Sequence, residues 1–529
     1  MRALFFTLSS CIVFLSLICL YMQWHWGLYL VTLYPLILLG LYDVSQKKRT
    51  ILRNFPLIGH FRYLFEMIRP EINQYFIESN TDGKPLNREQ RSLIYQRAKG
   101  QLDTLPFGTQ KDVYAIGHEW VNHSLQPQHV DLKSMRVTIG TKQAKHPYHA
   151  SILNISAMSY GALSHRAIKA LNEGAKLGHF AHNTGEGGVS EHHLKNQGDL
   201  IWQIGTGYFG ARSHDGTFDQ VRYQDNSQHE QIKMIELKLS QGAKPGHGGI
   251  LPASKVTAEI ARIRHVPMGQ DVLSPPAHTA FSTPIGLLEF IAKLRDLSGG
   301  KPVGFKLCIG RRVEFYAICK AMIETQITPD YIAIDGGEGG TGAAPLEFSN
   351  SIGSPLFEGL IFVDNALRGS GLREKIKIIS SGKIVSGFDI VKHLGLGADL
   401  CYSARAMMIA LGCIQALRCN SNHCPTGVAT NNPALVAGLD IQNKSQRVFR
   451  YHQETIESAA EIIGAIGLQR PEQVRPWHLM RRIRPSVVKD YSELYPKLEH
   501  EQLLHDREIP EKERILWHLA SSQSFIPTS

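Results

Sequence analysis

Cys413, Cys419 and Cys424 lie close together in one stretch, with Pro425 directly after the last of them. Thiolates at this spacing can converge on one inorganic cluster while a proline turn holds the backbone open, so the pattern suits iron–sulfur ligation and electron transfer. Three unrelated buried thiols are the competing reading, because free cysteine is among the most buried residue types. Eight cysteines in 529 residues are too few for a disulfide scaffold, and such a trio calls for a reducing compartment.

Glycine-rich runs form the second set of chemical signals. They are Asp335-Gly336-Gly337-Glu338-Gly339-Gly340-Thr341-Gly342 and Ser380-Ser381-Gly382-Lys383, joined by Tyr402-Ser403-Ala404-Arg405 at the start of a helical pattern. Glycines let main-chain N–H groups approach a phosphate closely, and a helix start adds favourable dipole. One such loop means only a tight turn, whereas the set together implies a phosphorylated cofactor. Lys306 sits in an apolar run, where a buried ammonium needs an anion or an electron-rich ring; the anionic edge of a reduced flavin would serve. Lys238, Lys244 and Arg264 could clamp a dicarboxylate with charge-assisted donors, although for any single lysine a surface position is the plainer reading.

These residues need a scaffold. Strand-like runs at 152–155, 200–204, 234–238, 303–307, 331–334, 376–379 and 398–401 alternate with helical patterns at 166–177, 255–264, 286–297, 313–325 and 387–394. Strand followed by helix, repeated in this way, predicts a (β/α)8 TIM barrel, with an open doubly wound sheet as the alternative. In a barrel the chemistry belongs where strands end and loops begin, the place the glycine runs occupy.

Residues 3–22 carry no charge, and after a polar-aromatic break at 23–27 a second apolar run spans 28–42. Each approaches the roughly 20 residues a membrane helix needs. Arg2 precedes the first and Lys47, Lys48 and Arg49 follow the second, so the positive-inside rule puts both ends in the cytoplasm. The expectation is a multi-pass inner-membrane anchor with the catalytic domain cytoplasmic; a cleaved signal peptide competes, but no small-residue cleavage site closes the first run. The formal net charge of +10 fits a membrane surface or anionic substrates, and nucleic acid is not expected as a partner. The expected organisation is a transmembrane hairpin over 1–49, a small helical or irregular extension over 50–145, the barrel over 146–435 and a helical tail over 436–529. Residues 88–99 read as an amphipathic helix facing solvent.

Four motifs occur in consistent order: Asn183 to Gly188, Lys238 to Gly249, Gly339 to Pro345, and the cysteine stretch through Thr430. Together they resemble the FMN-binding synthase domain of glutamate synthases, over about 151–433 with a weaker tail to 482. The resemblance implies a barrel carrying FMN and a 3Fe–4S cluster that reduces 2-iminoglutarate, formed from 2-oxoglutarate and ammonia, to L-glutamate. By that resemblance Cys413, Cys419 and Cys424 ligate the cluster, Met158 and Ser159 contact the flavin through the backbone, and Lys306 lies at its anionic edge. Gly340, Gly382, Lys383, Ser403 and Ala404 hold the phosphate. Glu186 and Lys244 are catalytic, and Lys238 and Arg264 bind substrate.

Departures from the family pattern are also visible. Ile250 stands where the family has a glutamine, His247 replaces a glutamate, and Glu338 replaces an aspartate. A missing amide can shift specificity where a site depends on pairing. No glutaminase domain is expected, so ammonia comes from solution or a partner. No Gly-x-Gly-x-x-Gly fingerprint follows a strand, so electrons are expected from a separate ferredoxin or NAD(P)H reductase subunit. The alternatives are an FMN and iron–sulfur oxidoreductase or amine transferase acting on another keto acid, and a non-catalytic electron-transfer module at the membrane.

Overall fold

The apolar runs beyond residue 150 close into one barrel of eight parallel strands. In chain order these are β1 (Leu153–Ile155), β2 (His182–Asn183), β3 (Leu200–Ile204), β4 (Ile232–Lys238), β5 (Val303–Leu307), β6 (Tyr331–Asp335), β7 (Lys377–Ser381) and β8 (Leu400–Ser403). β8 closes on β1 through the registers Cys401 to Leu153 and Ser403 to Ile155. The structure is a computed structural model and describes residues 1–527. The strands are buried along almost their whole length, so they read as continuous apolar runs rather than alternating ones. β2 is the exception to sequence expectation, being only two residues long and preceding a glycine turn.

Polar groups tie the strands together inside the barrel. Asn183 Nδ2 and Gln203 Nε2 both donate to Glu236 Oε1, at 2.8 and 2.7 Å, linking β2, β3 and β4. Outside, helix His165–Leu177 is capped by Ser164, whose hydroxyl accepts from the Ala167 N–H. It packs on the long helix Ile441–Ala465 at Gly174, where a Cβ would lie 2.8 Å from Val448.

Two expectations are corrected here. Helix Arg88–Lys99 buries Arg91, Ile94, Arg97 and Ala98 instead of facing solvent. Arg97 explains the difference: its Nε pairs with Asp103 at 3.0 Å and its Nη1 with Thr455 Oγ1 at 3.3 Å, so charges that read as solvated are satisfied internally. The tail 436–529 is not wholly helical. Leu479–Arg484 and Val487–Asp490 pair antiparallel, and Glu119–Val121 completes a three-stranded sheet with them.

Residues 1–88 form a compact unit of their own, which divides the expected extension at Arg88. Within it, Arg2–Tyr21 and the stretch Trp26–Ser45 are each long and apolar enough to cross a membrane. The second stretch is helical in two pieces, Trp26–Val31 and Tyr34–Ser45. Small residues seat the two against each other: a Cβ on Gly27 would touch Cys19 at 3.1 Å, and Ser16 Oγ lies 2.6 Å from the Tyr34 hydroxyl.

Candidate active site

A short turn, Gly185–Gly187, follows β2 and carries Glu186. Two glycines make room for its side chain: a Cβ on Gly205 would lie 2.8 Å from Glu186 Cβ, and one on Gly249 would lie 2.6 Å from its Oε1. Lys238 is the last residue of β4, and its Nζ donates to Glu186 Oε2 and to Gln241 Oε1, both at 2.7 Å. Lys244 donates to the Ala343 carbonyl at 2.9 Å. Arg264 ends helix Ala258–Arg264, donates to the Tyr160 carbonyl at 3.0 Å and stacks over Phe209 at 5.0 Å, while its buried Nε has no partner among the described residues.

The charges act on one another. Burial alone would raise the Glu186 carboxyl, but Lys238, Lys244 and Arg264 together hold it below its ordinary range, so it is a carboxylate at neutral pH. Burial lowers Lys244 to about 8, with Glu186 opposing and Lys238 reinforcing the fall. Burial also lowers Arg264, to about 10, where it stays charged.

Met158 and Ser159 follow β1, and Gly185 presses on them: its φ is +64° and a Cβ there would lie 2.7 Å from Ser159 N. β5, across the barrel from β1, carries Lys306. Its ammonium lies 3.3 Å from Asp335 Oδ2, so the anion that this buried lysine requires is provided by the protein itself. Asp335 also accepts from the Gly242 N–H at 2.8 Å and the Ser381 hydroxyl at 2.7 Å.

Gly340 follows β6, Gly382 and Lys383 follow β7, and Ser403 ends β8 with Ala404 directly after it. The N–H groups of Gly340, Gly382 and Ala404 have no protein acceptor among the described residues, and Gly382 adopts a φ of +153° where a Cβ would meet Leu356 at 3.2 Å. Three open donors beside a glycine-only conformation fit a phosphate. The Ser403 hydroxyl is spent on the Ile384 carbonyl at 2.7 Å. Glu338 has a structural duty: its Oε2 accepts from the Leu356 N–H at 3.0 Å and so caps helix Leu356–Gly369.

The cysteine stretch leaves helix Arg405–Leu411 as an irregular loop. Burial pushes Cys413 up to about 12 and raises Cys419 as well. Cys424 goes the other way: against its burial, the Thr426 hydroxyl and the N–H groups of Ala429, Thr426 and Val428 stabilise a thiolate. Among the described residues no three or more His, Cys, Asp or Glu side chains close to the spacing of a single ion. A cluster shares its thiolates among several irons and does not demand that spacing. The donor set of soft thiols with one buried ammonium near, that of Lys255, fits such a group.

The loop is stitched to the segment that follows Met158 and Ser159. Lys255 Nζ donates to the carbonyls of Ala162 and Ala429, both at 3.0 Å. Asn431 Nδ2 donates to the Gly161 and Lys255 carbonyls, both at 3.0 Å, and the Ser164 hydroxyl donates to Gly427 at 2.7 Å. From the other side the Tyr95 hydroxyl donates to the Cys413 carbonyl at 2.7 Å.

Residues 109–469 match the family described as a conserved region in glutamate synthase. The chain belongs to the glutamate synthase family. It is 36% identical over 481 residues to the glutamate synthase large subunit-like protein YerD of Bacillus subtilis, covering 83% of this chain and 91% of that one. It is 34% identical over 344 residues to the archaeal glutamate synthase (NADPH) of Methanocaldococcus jannaschii, covering 65% of this chain and 64% of that enzyme. A solved flavocytochrome b2 with sulfite bound aligns at a TM-score of 0.41 and 10% identity over 81% of this chain and 88% of that one.

This glutamate synthase family member is an oxidoreductase, and its strand ends hold residues that sequence reasoning passed over. Gln241 lies three positions after Lys238 and accepts from it; its place inside the Lys238 to Gly249 motif was the available signal. Asp335 and Lys255 gave no signal, since one reads as part of a glycine loop and the other as the start of a helix.

Proposed function

We propose that the mouth of this barrel reduces 2-iminoglutarate, formed from 2-oxoglutarate and ammonia, to L-glutamate. One observation carries the reading: Lys238, Lys244 and Arg264 gather around Glu186, so three cations face one carboxylate and two positive charges are left over. A dicarboxylate matches that surplus. Arg264 and Lys238 hold the substrate carboxylates through charge-assisted bonds. Glu186, ionised, accepts from the imine nitrogen and orients it. Lys244 is the proton donor, since burial lowers it to about 8, near the working pH where general acids are most effective.

Met158, Ser159 and Lys306 would hold the ring of FMN, Gly340, Gly382, Lys383, Ser403 and Ala404 its phosphate, and Cys413, Cys419 and Cys424 a 3Fe–4S cluster, which when bound supply hydride equivalents and single electrons. Imine reduction consumes two electrons and two protons, and the electrons come from a partner, a ferredoxin or an NAD(P)H reductase subunit. The apolar stretches at 2–21 and 26–45 anchor the chain in the inner membrane with the barrel on the cytoplasmic side; their length and the basic residues 47–49 support this.

The test is direct. Anaerobic protein reconstituted with FMN and reduced with dithionite reoxidises on addition of 2-oxoglutarate plus ammonium and yields glutamate. Absence of reoxidation by that pair defeats the reading. Ile250 follows Gly249 with an apolar side chain, so pyruvate and oxaloacetate belong in the same assay as competing keto acids.

A further inference from the structure

The first compact unit holds an apolar face that neither the hairpin nor the barrel chemistry uses. Helix Gly59–Ile72 places Phe61, Leu64, Phe65, Ile68 and Ile72 on one side, by spacings of three and four. Arg62, Glu66 and Arg69 fall on the other, where Arg62 and Glu66 pair at 2.9 Å. The apolar side is open: Phe61 is 57% exposed, Phe65 62%, and Phe76 just beyond the helix 82%. The Phe61 and Phe65 rings stack at 6.3 Å, so the face is one surface and not scattered side chains.

This helix cannot cross a bilayer. It continues through a π-helical turn, Asn73–Ile77, but Arg62, Glu66, Arg69 and Glu71 put four charges within Gly59–Ile72, too many for a membrane span. Its start is fixed to the end of the second apolar stretch. Asp43, fully buried there, accepts from the Leu57 N–H at 3.0 Å and lies 2.9 Å from His60 Nε2. Arg53 Nε donates to the Val44 carbonyl at 3.3 Å, and the Arg49 guanidinium lies over the Tyr63 ring at 4.5 Å. Between the two helices come Lys47, Lys48, Arg49 and Arg53, a run of cations at the point where the chain would leave the membrane.

We propose that residues 58–77 lie along the bilayer surface, with Phe61, Leu64, Phe65 and Phe76 in the boundary between headgroups and acyl chains and Lys47, Lys48, Arg49 and Arg53 on anionic phospholipid headgroups. A helix with one apolar side and several charges on its polar face is built for this position. Cations beside an anionic leaflet add attraction of their own. The proposal rests on the reading of residues 2–45 as a membrane hairpin, to which Asp43 ties the helix at interface level.

The full chain is reconstituted in vesicles of phosphatidylcholine and phosphatidylglycerol containing a trace of alkyne-tagged lipid. Photoreactive p-benzoylphenylalanine is placed singly at Leu15, Phe61, Phe65 or Glu66. After irradiation, positions 15, 61 and 65 take up tagged lipid, and position 66 takes up about tenfold less. Labelling at 15 without labelling at 61 and 65, or capture there of residues 89–527 or of a second copy of the chain, overturns the surface helix and leaves the hairpin standing. No labelling at 15 overturns the hairpin and the proposal with it. In vesicles of phosphatidylcholine alone, uptake at 61 and 65 falls; unchanged uptake overturns the part assigned to anionic headgroups.

Discussion

The Lys238 ammonium meets the Glu186 carboxylate at 2.7 Å, one residue from the end of β4 and the other from the turn after β2. The two therefore reach across the mouth of β3, and Lys238, with Lys244 and Arg264, keeps Glu186 below its ordinary range against the upward pull of burial. Glu186→Gln keeps the shape and an acceptor for Lys238 but removes the charge. Turnover with 2-oxoglutarate and ammonium is expected to fall by about 10²- to 10⁴-fold, with bound flavin absorbance unchanged. Steady-state rates beside a visible spectrum check this, and near-normal turnover would remove Glu186 from the mechanism.

Room for that carboxylate depends on two glycines. In Gly249→Ala the new Cβ would sit 2.6 Å from Glu186 Oε1, so the carboxylate must shift from its place. A shift of about 1 Å is expected to cost on the order of 10²-fold in kcat, with the melting temperature nearly unchanged because the clash is with the end of a side chain. A variant that loses stability instead of rate would show that Gly249 serves the fold.

In the proposed reaction Lys244 sets the pH dependence. Burial lowers its pKa to about 8, so the ammonium is present below that pH and lost above it. As the proton donor it should give a rate that declines as pH rises through about 8, tenfold per unit at the limit. Lys244→Arg, which stays protonated, should flatten this alkaline limb while lowering the rate at every pH. A limb that persists in the arginine variant would assign it to another group.

Most of the barrel was legible because buried parallel strands announce themselves as apolar runs bounded by glycine; seven of the eight were read in this way. β2 was not, since His182 and Asn183 alone cannot display a period. The charged quartet was legible only in part, Glu186, Lys238 and Lys244 through their motifs and Arg264 through no motif, because residues 186, 238, 244 and 264 meet by closure of the barrel and not by sequence spacing. Lys255 stayed hidden for a local reason. The helix after it begins at Ala258, capped by Thr257, so Lys255 lies in the preceding turn and points inward. Helix Arg88–Lys99 misled in the opposite sense, its buried Arg97 being matched by partners that come later in the chain.

The inward turn of Lys255 has an energetic consequence. Its ammonium joins the Ala162 and Ala429 carbonyls, and with them the loop after β1 to the loop of the cysteines. Lys255→Met leaves both carbonyls without this donor. The expected loss of unfolding free energy is about 1–3 kcal/mol, read from denaturant midpoints, with faster hydrogen exchange at the Ser164 N–H that donates to Val428. Unaltered exchange at that amide would mean the loops hold together without the lysine.

The last prediction separates the cysteines from the rest of the mouth. Cys413, Cys419 and Cys424 share one loop, held through backbone carbonyls by Lys255 and by Tyr95 of helix Arg88–Lys99, while the open N–H donors of Gly340 and Gly382 lie after β6 and β7 and that of Ala404 at the start of the helix before the loop. Loss of one thiol should therefore abolish a cluster without emptying a phosphate site. For the proposed cluster, Cys419→Ser replaces a soft donor by a hard one of similar shape, and irons favour thiolate strongly. After anaerobic reconstitution the variant is expected to lose the broad visible absorbance and the paramagnetic signal of an iron–sulfur cluster. It should bind FMN at the parent stoichiometry and fail to accept electrons from the external donor. Full cluster absorbance in Cys419→Ser would exclude that thiol as a ligand, and loss of flavin together with the cluster would mean that the two loops form one cooperative site.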